Sequence, residues 1–143
     1  MSRSRTKARH CVVQALYQWQ MTGNDVNEIY EQFVSERNMA KVNVAYFKEM
    51  LQGVTTHLGD IDAYLLECMD RSIGEVDDVE RAVLRMGCYE LLFKLDVPYR
   101  VAINEALEAA KLFGAEQGYK FVNGVMDKLA QKLRPIEVGK SAS

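Results

Sequence analysis

The sequence VERAVLRMGCYELLFKL, residues 79–95, decides the fold class, because it predicts a helix with apolar side chains on most of its sides. A helix on the surface of a protein has one apolar face, whereas a helix that is apolar all round normally lies in the middle of a bundle. Asp77 and Glu80 resemble a capping box at its start, where the helix dipole also favours acidic side chains. We therefore expect a central helix surrounded by others.

The segments on either side predict six further helices and no strand, because their apolar residues recur three and four positions apart. Gly59 and Asp60 are expected to break and recap the chain between the third and fourth helices, and Pro98 to lie in the first turn of the sixth. The seven predicted helices cover about 5–21, 26–34, 44–58, 61–69, 79–95, 98–114 and 122–133. The fold class is an all-α bundle with short connections.

The length of 143 residues indicates a single domain that can bury a hydrophobic core without disulfides or metals. We place this domain at residues 1–137, with two sub-bundles at about 1–59 and 60–135. The segment after Pro135 has little reason to order, so residues 138–143 are predicted to be a flexible tail.

The charge distribution is uneven although the net charge is only −2. Arg3, Arg5, Lys7 and Arg9 all lie in the first nine positions, and no acidic residue separates them. Basic residues at one end of an otherwise acidic chain indicate a local anion site rather than general attraction to polyanions.

Several function classes find no support in the sequence. The chain has three widely spaced cysteines, two histidines and no CxxC motif, which favours the reducing cytoplasm and argues against a zinc site. It contains no glycine-rich phosphate loop and no nucleophile in a context typical of a catalytic triad. No apolar run is long enough for a membrane span. We expect no enzyme activity, cofactor or metal.

The first predicted helix has an unusual polar face. Successive residues lie about 100° apart, which puts Tyr17 opposite the apolar stripe that contains Val12 and Leu16. Arg5 and Arg9 flank that stripe. Beside Tyr17 are four polar or basic side chains, Arg3, Lys7, His10 and Gln14.

This polar face has two interpretations. Cations bind phosphates, and an exposed aromatic ring can stack on an unpaired base for about 1–3 kcal/mol, so the face suits single-stranded RNA. The alternative is a solvated basic terminus with a half-buried Tyr17, which composition alone favours. Phe121 on the last helix has a similar ambiguity: it is either packed under a neighbouring helix or a second stacking ring.

Three stretches together resemble the NusB family of bacterial transcription antitermination factors. They are ARHCVVQALYQWQ (8–20), VERAVLRMGCYEL (79–91), and VPYRVAINEALEAAKLFG (97–114) followed by KFVNGVMDK (120–128). The resemblance covers about residues 5–135 and implies two small packed helical bundles. It also implies binding of boxA RNA in ribosomal RNA leader transcripts together with NusE, a small-subunit ribosomal protein. The complex joins RNA polymerase and promotes read-through, without catalysis.

The resemblance also implies residue roles. Glu80 matches a position of the NusE contact. The implied RNA contacts are Arg3, Arg5, Lys7, Arg9, His10, Gln14, Tyr17, Gln117, Lys120 and Phe121. Ser4 and Thr6 interrupt the continuous arginine run of the family, which leaves open which cation matters most. The oligomeric state, including a homodimer, is also left open.

Two other function classes are weighed against RNA binding. One is a helical adaptor that binds only proteins, docking its basic end on an acidic partner. The other is a methyltransferase, because NusB-like domains also occur fused to RNA cytosine methyltransferases. The 143 residues leave no room for a domain that binds the methyl donor, so we do not expect methyl transfer.

Overall fold

The computed structural model describes the backbone of residues 2–142 and the side chains of residues 2–140. Over this range the chain forms eight α-helices, one short 3-10 turn at Ile73–Glu75, and no strand. The helices are α1 Arg3–Thr22, α2 Val26–Glu36, α3 Val44–Thr56, α4 Leu58–Glu67, α5 Asp78–Phe93, α6 Tyr99–Phe113, α7 Gly118–Leu133 and α8 Pro135–Ala142. Met1 and Ser143, the ends of the predicted domain and tail, lie outside the described residues. The all-α prediction is confirmed.

Helix α5 is the central element, as its sequence predicts. Every residue from Ala82 to Leu91 is buried, and α1, α3, α4, α6 and α7 all pack against this helix. Asp77 caps its start, since the carboxylate accepts hydrogen bonds from the backbone N–H groups of Val79 (3.1 Å) and Glu80 (3.2 Å). The hydrophobic effect thus explains why five helices surround this one.

Small residues let α3 and α7 come close to α5. Gly53 lies directly against the ring of Tyr89, so a Cβ at this position would overlap the ring. Gly87 faces the end of the Met126 side chain in the same way. These contacts fix the spacing between the helices on both sides of α5.

Two predicted helix boundaries are wrong by a few residues. The break between α3 and α4 is at His57 (φ −104°, ψ 24°), whereas Gly59 and Asp60 lie inside the first turn of α4. One residue outside helical geometry suffices to redirect the chain, so the glycine is not needed for the turn. Pro98 is the residue before α6 rather than part of its first turn.

The segment after Pro135 forms a helix rather than an irregular tail, because residues up to 142 belong to α8, and the flexibility of residues 138–143 stays a prediction. The buried Arg134 guanidinium holds the start of this segment. It donates hydrogen bonds to backbone carbonyl oxygens at the end of α5, such as those of Leu91 (2.7 Å) and Lys94 (3.0 Å), and to the Glu137 carboxylate (2.7 Å). A cation at a helix C-terminus stabilises the unpaired carbonyls there. The division into two sub-bundles near residue 59 stays a prediction.

Candidate nucleic-acid interface

Helix α1 places Tyr17 at the surface, as its periodicity predicts. Ser2 caps the helix, with its hydroxyl accepting a hydrogen bond from the Arg5 N–H (3.3 Å). Val12 and Leu16 are completely buried, whereas Tyr17 is 40% exposed. Tyr17 is therefore partly accessible to a ligand.

The four N-terminal cations have different surroundings. Arg3 is exposed and Lys7 is half-buried, and neither forms an ion pair within the described part of the chain. Arg5 pairs with Asp96 (3.2 Å) and lies over the ring of Tyr46, 4.2 Å from its centroid. Arg3 and Lys7 can therefore bind a ligand without breaking an ion pair.

Arg9 is a different case, because its side chain is buried. Its guanidinium forms ion pairs with Glu90 (2.8 Å) and Glu105 (3.0 Å), and the residue is only 2% exposed. The prediction of an RNA contact at Arg9 does not fit this position, because the cation is already neutralised and screened from solvent. Arg9 lies beside the apolar stripe of α1, so its side chain can turn toward α5 and α6 instead of toward solvent.

The carboxylates around Arg9 have further partners. The Tyr46 hydroxyl donates a hydrogen bond to Glu90, and the Thr6 hydroxyl donates one to Glu105 (2.6 Å). Burial and the adjacent Glu90 raise the pKa of Tyr46 far above its ordinary value. Burial alone would lower the pKa of Arg9, but its hydrogen bond to Glu90 and the charge of that carboxylate outweigh this effect and raise it. The network ties α1 to α3, α5 and α6.

His10 and Gln14 continue the polar face beyond Lys7. His10 makes an edge-on ring contact with Phe113 at the end of α6, with the ring centroids 5.7 Å apart. Burial lowers the pKa of His10, the charge of Glu105 opposes this effect, and the cationic Lys7, Arg3 and Arg9 lower the pKa further. His10 therefore loses its proton at a lower pH than a free imidazole does. Its neighbour Gln14 accepts a hydrogen bond from Arg37 (2.6 Å).

Arg37 and Lys41 are basic residues at this face that the sequence-based predictions missed. They lie in the connection between α2 and α3, in the sequence RNMAK, residues 37–41. With Lys7 and His10 they line a surface cavity of about 300 Å³. The sequence does show two basic residues in a short connection. Nothing in the sequence, however, indicates that this connection lies against α1.

The predicted residues of α7 form a second group. Gln117 and Lys120 are exposed, and Phe121 is half-buried with the Arg71 guanidinium 4.2 Å from its ring centroid. The ring is therefore partly covered by a cation from the connection between α4 and α5, and both interpretations of Phe121 stay open. The contact between His10 and Phe113 joins the α1 face to the end of α6, from which the chain reaches Gln117 within four residues.

Glu80 lies in the first turn of α5, next to the start of α7. It is half-buried, and a Cβ on Gly118 would lie only 2.6 Å from its carboxylate. Burial raises the pKa of Glu80, and the nearby Asp77 raises it further. The carboxylate therefore lies between the starts of α5 and α7, and the residue is partly exposed.

Known proteins are similar in sequence to this chain over most of its length. The sequence model of the NusB family matches residues 6–131. The chain belongs to the NusB family. The NusB transcription antitermination protein of Pseudomonas savastanoi pv. phaseolicola is 52% identical over 137 residues, which cover 96% of this chain and 83% of that protein. The NusB protein of Serratia proteamaculans is 50% identical, with 92% and 95% covered.

Solved NusB structures have the same fold. T. maritima NusB superposes with a TM-score of 0.83 at 31% identity, covering 97% of this chain and 99% of that one. A crystal structure of the antitermination factors NusB and NusE in complex with dsRNA gives a TM-score of 0.81 at 29% identity, covering 92% and 99%. The resemblance inferred from the sequence motifs is confirmed, and so is the all-helical NusB fold.

NusB-family proteins are transcription antitermination proteins rather than enzymes, and this chain is one of them. Within residues 2–142 no helix is both long and apolar enough to cross a membrane. The same part of the chain contains no cluster of three or more His, Cys, Asp or Glu side chains that could hold a metal ion.

Proposed function

We propose that this NusB-family chain binds single-stranded boxA RNA of ribosomal RNA leader transcripts together with NusE, and so promotes read-through by RNA polymerase. The observation that carries the proposal is the exposed Tyr17 ring on the same helix face as Lys7, His10 and Gln14. Base stacking and phosphate neutralisation then act from one rigid helix. The buried contacts of Arg9 hold that helix in place before RNA arrives.

The preference for unpaired RNA follows from Tyr17. A duplex keeps its bases stacked on each other, whereas a single strand can offer a base to an aromatic ring. Phe121 with Arg71 over one face provides a second ring for the same purpose. We include Arg3, Arg5, Lys7, His10, Gln14, Tyr17, Gln117, Lys120 and Phe121 in the proposed surface, and we leave out Arg9.

NusE is proposed to bind near Glu80, at the junction of α5 and α7. A solved relative contains NusB, NusE and dsRNA together, which supports a joint RNA and protein complex. The few unpaired cations on α1 also favour a partner, because a second protein bound beside the RNA raises the overall affinity through effective concentration.

The test is a fluorescence anisotropy titration of a boxA-type RNA and a scrambled RNA, with and without NusE. Tyr17→Ala should weaken boxA binding by about 1–3 kcal/mol, which is roughly five- to 150-fold. Phe93→Ala is the matched control, since Phe93 is also 40% exposed but is the last residue of α5, where its ring lies against His57 and Tyr89. Circular dichroism should show unchanged helicity for both variants.

Equal affinity of wild-type protein and Tyr17→Ala would refute the stacking surface. If neither RNA binds with or without NusE while NusE itself binds, the chain is a protein-binding adaptor instead. Affinity for RNA should also fall as the salt concentration rises, because phosphate contacts release counterions. A response that is flat with salt would contradict phosphate binding.

A further inference from the structure

The cavity between α1 and the α2–α3 connection has a strongly basic lining. Lys7 comes from α1, and Arg37 and Lys41 from the connection, so three formal positive charges surround about 300 Å³. Among the residues that the structure describes, no acidic side chain lines the cavity. On a chain with a net charge of −2, such a concentration of positive charge needs an explanation.

The cations at this cavity are available for a ligand. Neither Lys7 nor Lys41 forms an ion pair with the described side chains, and Arg37 has only neutral partners there. Its guanidinium donates to the Gln14 amide oxygen and lies 3.9 Å from the ring centroid of Phe33. These contacts hold the Arg37 side chain in one orientation without neutralising its charge.

The α2–α3 connection is itself fixed against α1. The Asn43 N–H donates a hydrogen bond to the Ser4 carbonyl oxygen (3.0 Å), which joins the connection to the first turn of α1. Within the connection, the Asn38 amide oxygen accepts a hydrogen bond from the Ala40 N–H (3.1 Å), and the Met39 carbonyl accepts one from the Val42 N–H (3.0 Å). The cations on it are thus presented by an ordered backbone.

We propose that this cavity binds a backbone phosphate of the RNA, so that the RNA path extends from α1 onto the α2–α3 connection. This inference rests on the proposed RNA-binding function. A planar guanidinium and two ammonium groups suit the tetrahedral, multiply accepting oxygens of a phosphodiester. Lys7 lies ten residues before Tyr17, about 15 Å along the helix, so a short oligonucleotide spans both points.

The central experiment compares Lys41→Gln, Arg37→Gln and the double variant with wild-type protein, by anisotropy with the boxA-type RNA at several salt concentrations. Lys48→Gln is the matched control, because Lys48 is an exposed lysine of α3 outside the cavity. The double variant should bind about two- to thirtyfold more weakly at low salt, because it loses two exposed charge pairs with the RNA. The slope of log affinity against log salt should fall by about 0.7 for each phosphate that the variant no longer neutralises. Lys48→Gln should match the wild type.

A second measurement separates a phosphodiester of RNA from free phosphate. Inorganic phosphate is titrated into the wild-type protein while amide NMR signals of residues 37–43 are followed. Shifts in these signals that appear only with RNA support the proposal. Saturable shifts at low millimolar phosphate without RNA, abolished in the double variant, would overturn it in favour of a site for the free anion.

The failure of this inference differs from failure of the proposed function. If the double variant has wild-type affinity and salt slope while Tyr17→Ala binds weakly, the cavity is not on the RNA path and the proposed function stands. If the wild-type protein binds no RNA with or without NusE, both proposals fall. Circular dichroism and thermal unfolding should confirm that each variant is folded.

Discussion

Replacing Arg9 by alanine should destabilise the protein strongly, because Arg9 neutralises two buried carboxylates. Glu90 is completely buried and Glu105 is 6% exposed. The variant leaves Glu90 with the hydroxyl of Tyr46 and Glu105 with that of Thr6, and no ion pair to either carboxylate within the described side chains. Breaking a buried ion pair by removing one partner typically costs about 3–5 kcal/mol.

This loss is a large part of the free energy of unfolding. A domain of this kind has a free energy of unfolding of about 5–15 kcal/mol. With a urea dependence of about 2 kcal/mol per molar, the midpoint of urea unfolding should fall by roughly 1.5–2.5 M. The assay is urea unfolding followed by circular dichroism at neutral pH.

Two comparison variants identify the source of the effect. Arg5→Ala removes an exposed ion pair with Asp96 and should cost no more than about 1 kcal/mol. Arg9→Lys keeps the charge but lacks the planar fork that reaches both carboxylates, so it should be intermediate. It also provides a measurable protein if Arg9→Ala does not fold. A free energy of unfolding of Arg9→Ala within about 1 kcal/mol of wild type would refute the buried network.

Three further predictions concern packing, pH and thiol reactivity. Gly53→Ala should lower the free energy of unfolding in urea by about 1–3 kcal/mol, because its Cβ would overlap the ring of Tyr89. Gly59 has open space around it, so Gly59→Ala should be neutral or stabilising by up to about 1 kcal/mol. Equal effects of the two substitutions would contradict the close contact between Gly53 and Tyr89. The lowered pKa of His10 means that protonation favours the unfolded chain, so its contribution to stability is present above pH about 6.5 and is lost as the pH falls through the lower folded value. Unfolding measured between pH 7.5 and 5 should therefore show a smaller loss for His10→Gln than for wild type, and parallel curves would be evidence against it. Burial raises the pKa of the Cys88 thiol to about 12, so its alkylation by iodoacetamide should occur only on unfolding, and rapid modification of native protein would contradict this.

The helices were predictable from the sequence because each depends mainly on its own pattern. The spacing of apolar residues in α1 predicted that Tyr17 lies on the surface. The apolar residues on most sides of the helix around residues 82–91 predicted that α5 lies in the centre. Helix α8 was not predictable in this way. It depends on Arg134, whose hydrogen bonds reach the carbonyls of α5 about 40 residues earlier in the chain.

The candidate site was predicted less completely than the fold, and Arg9 shows why. A cation beside an apolar stripe can extend into solvent or turn toward a buried acid, and the spacing of residues is the same in both cases. The choice depends on Glu90 and Glu105, which are more than 80 residues away in sequence. Local periodicity contains no information on such partners.

The ion pairs within the protein also reduce the number of N-terminal cations that are available to bind RNA. Arg9 is used inside the fold and Arg5 is paired with Asp96, which leaves Arg3 and Lys7 as the N-terminal cations without an ion pair in the described structure. Two cations are few for a protein that binds a polyanion, because affinity for RNA grows with the number of phosphates neutralised. Arg37 and Lys41 lie at the same face. Arg37 and Lys41 of the α2–α3 connection therefore replace the two positive charges, those of Arg5 and Arg9, that ion pairs within the fold neutralise.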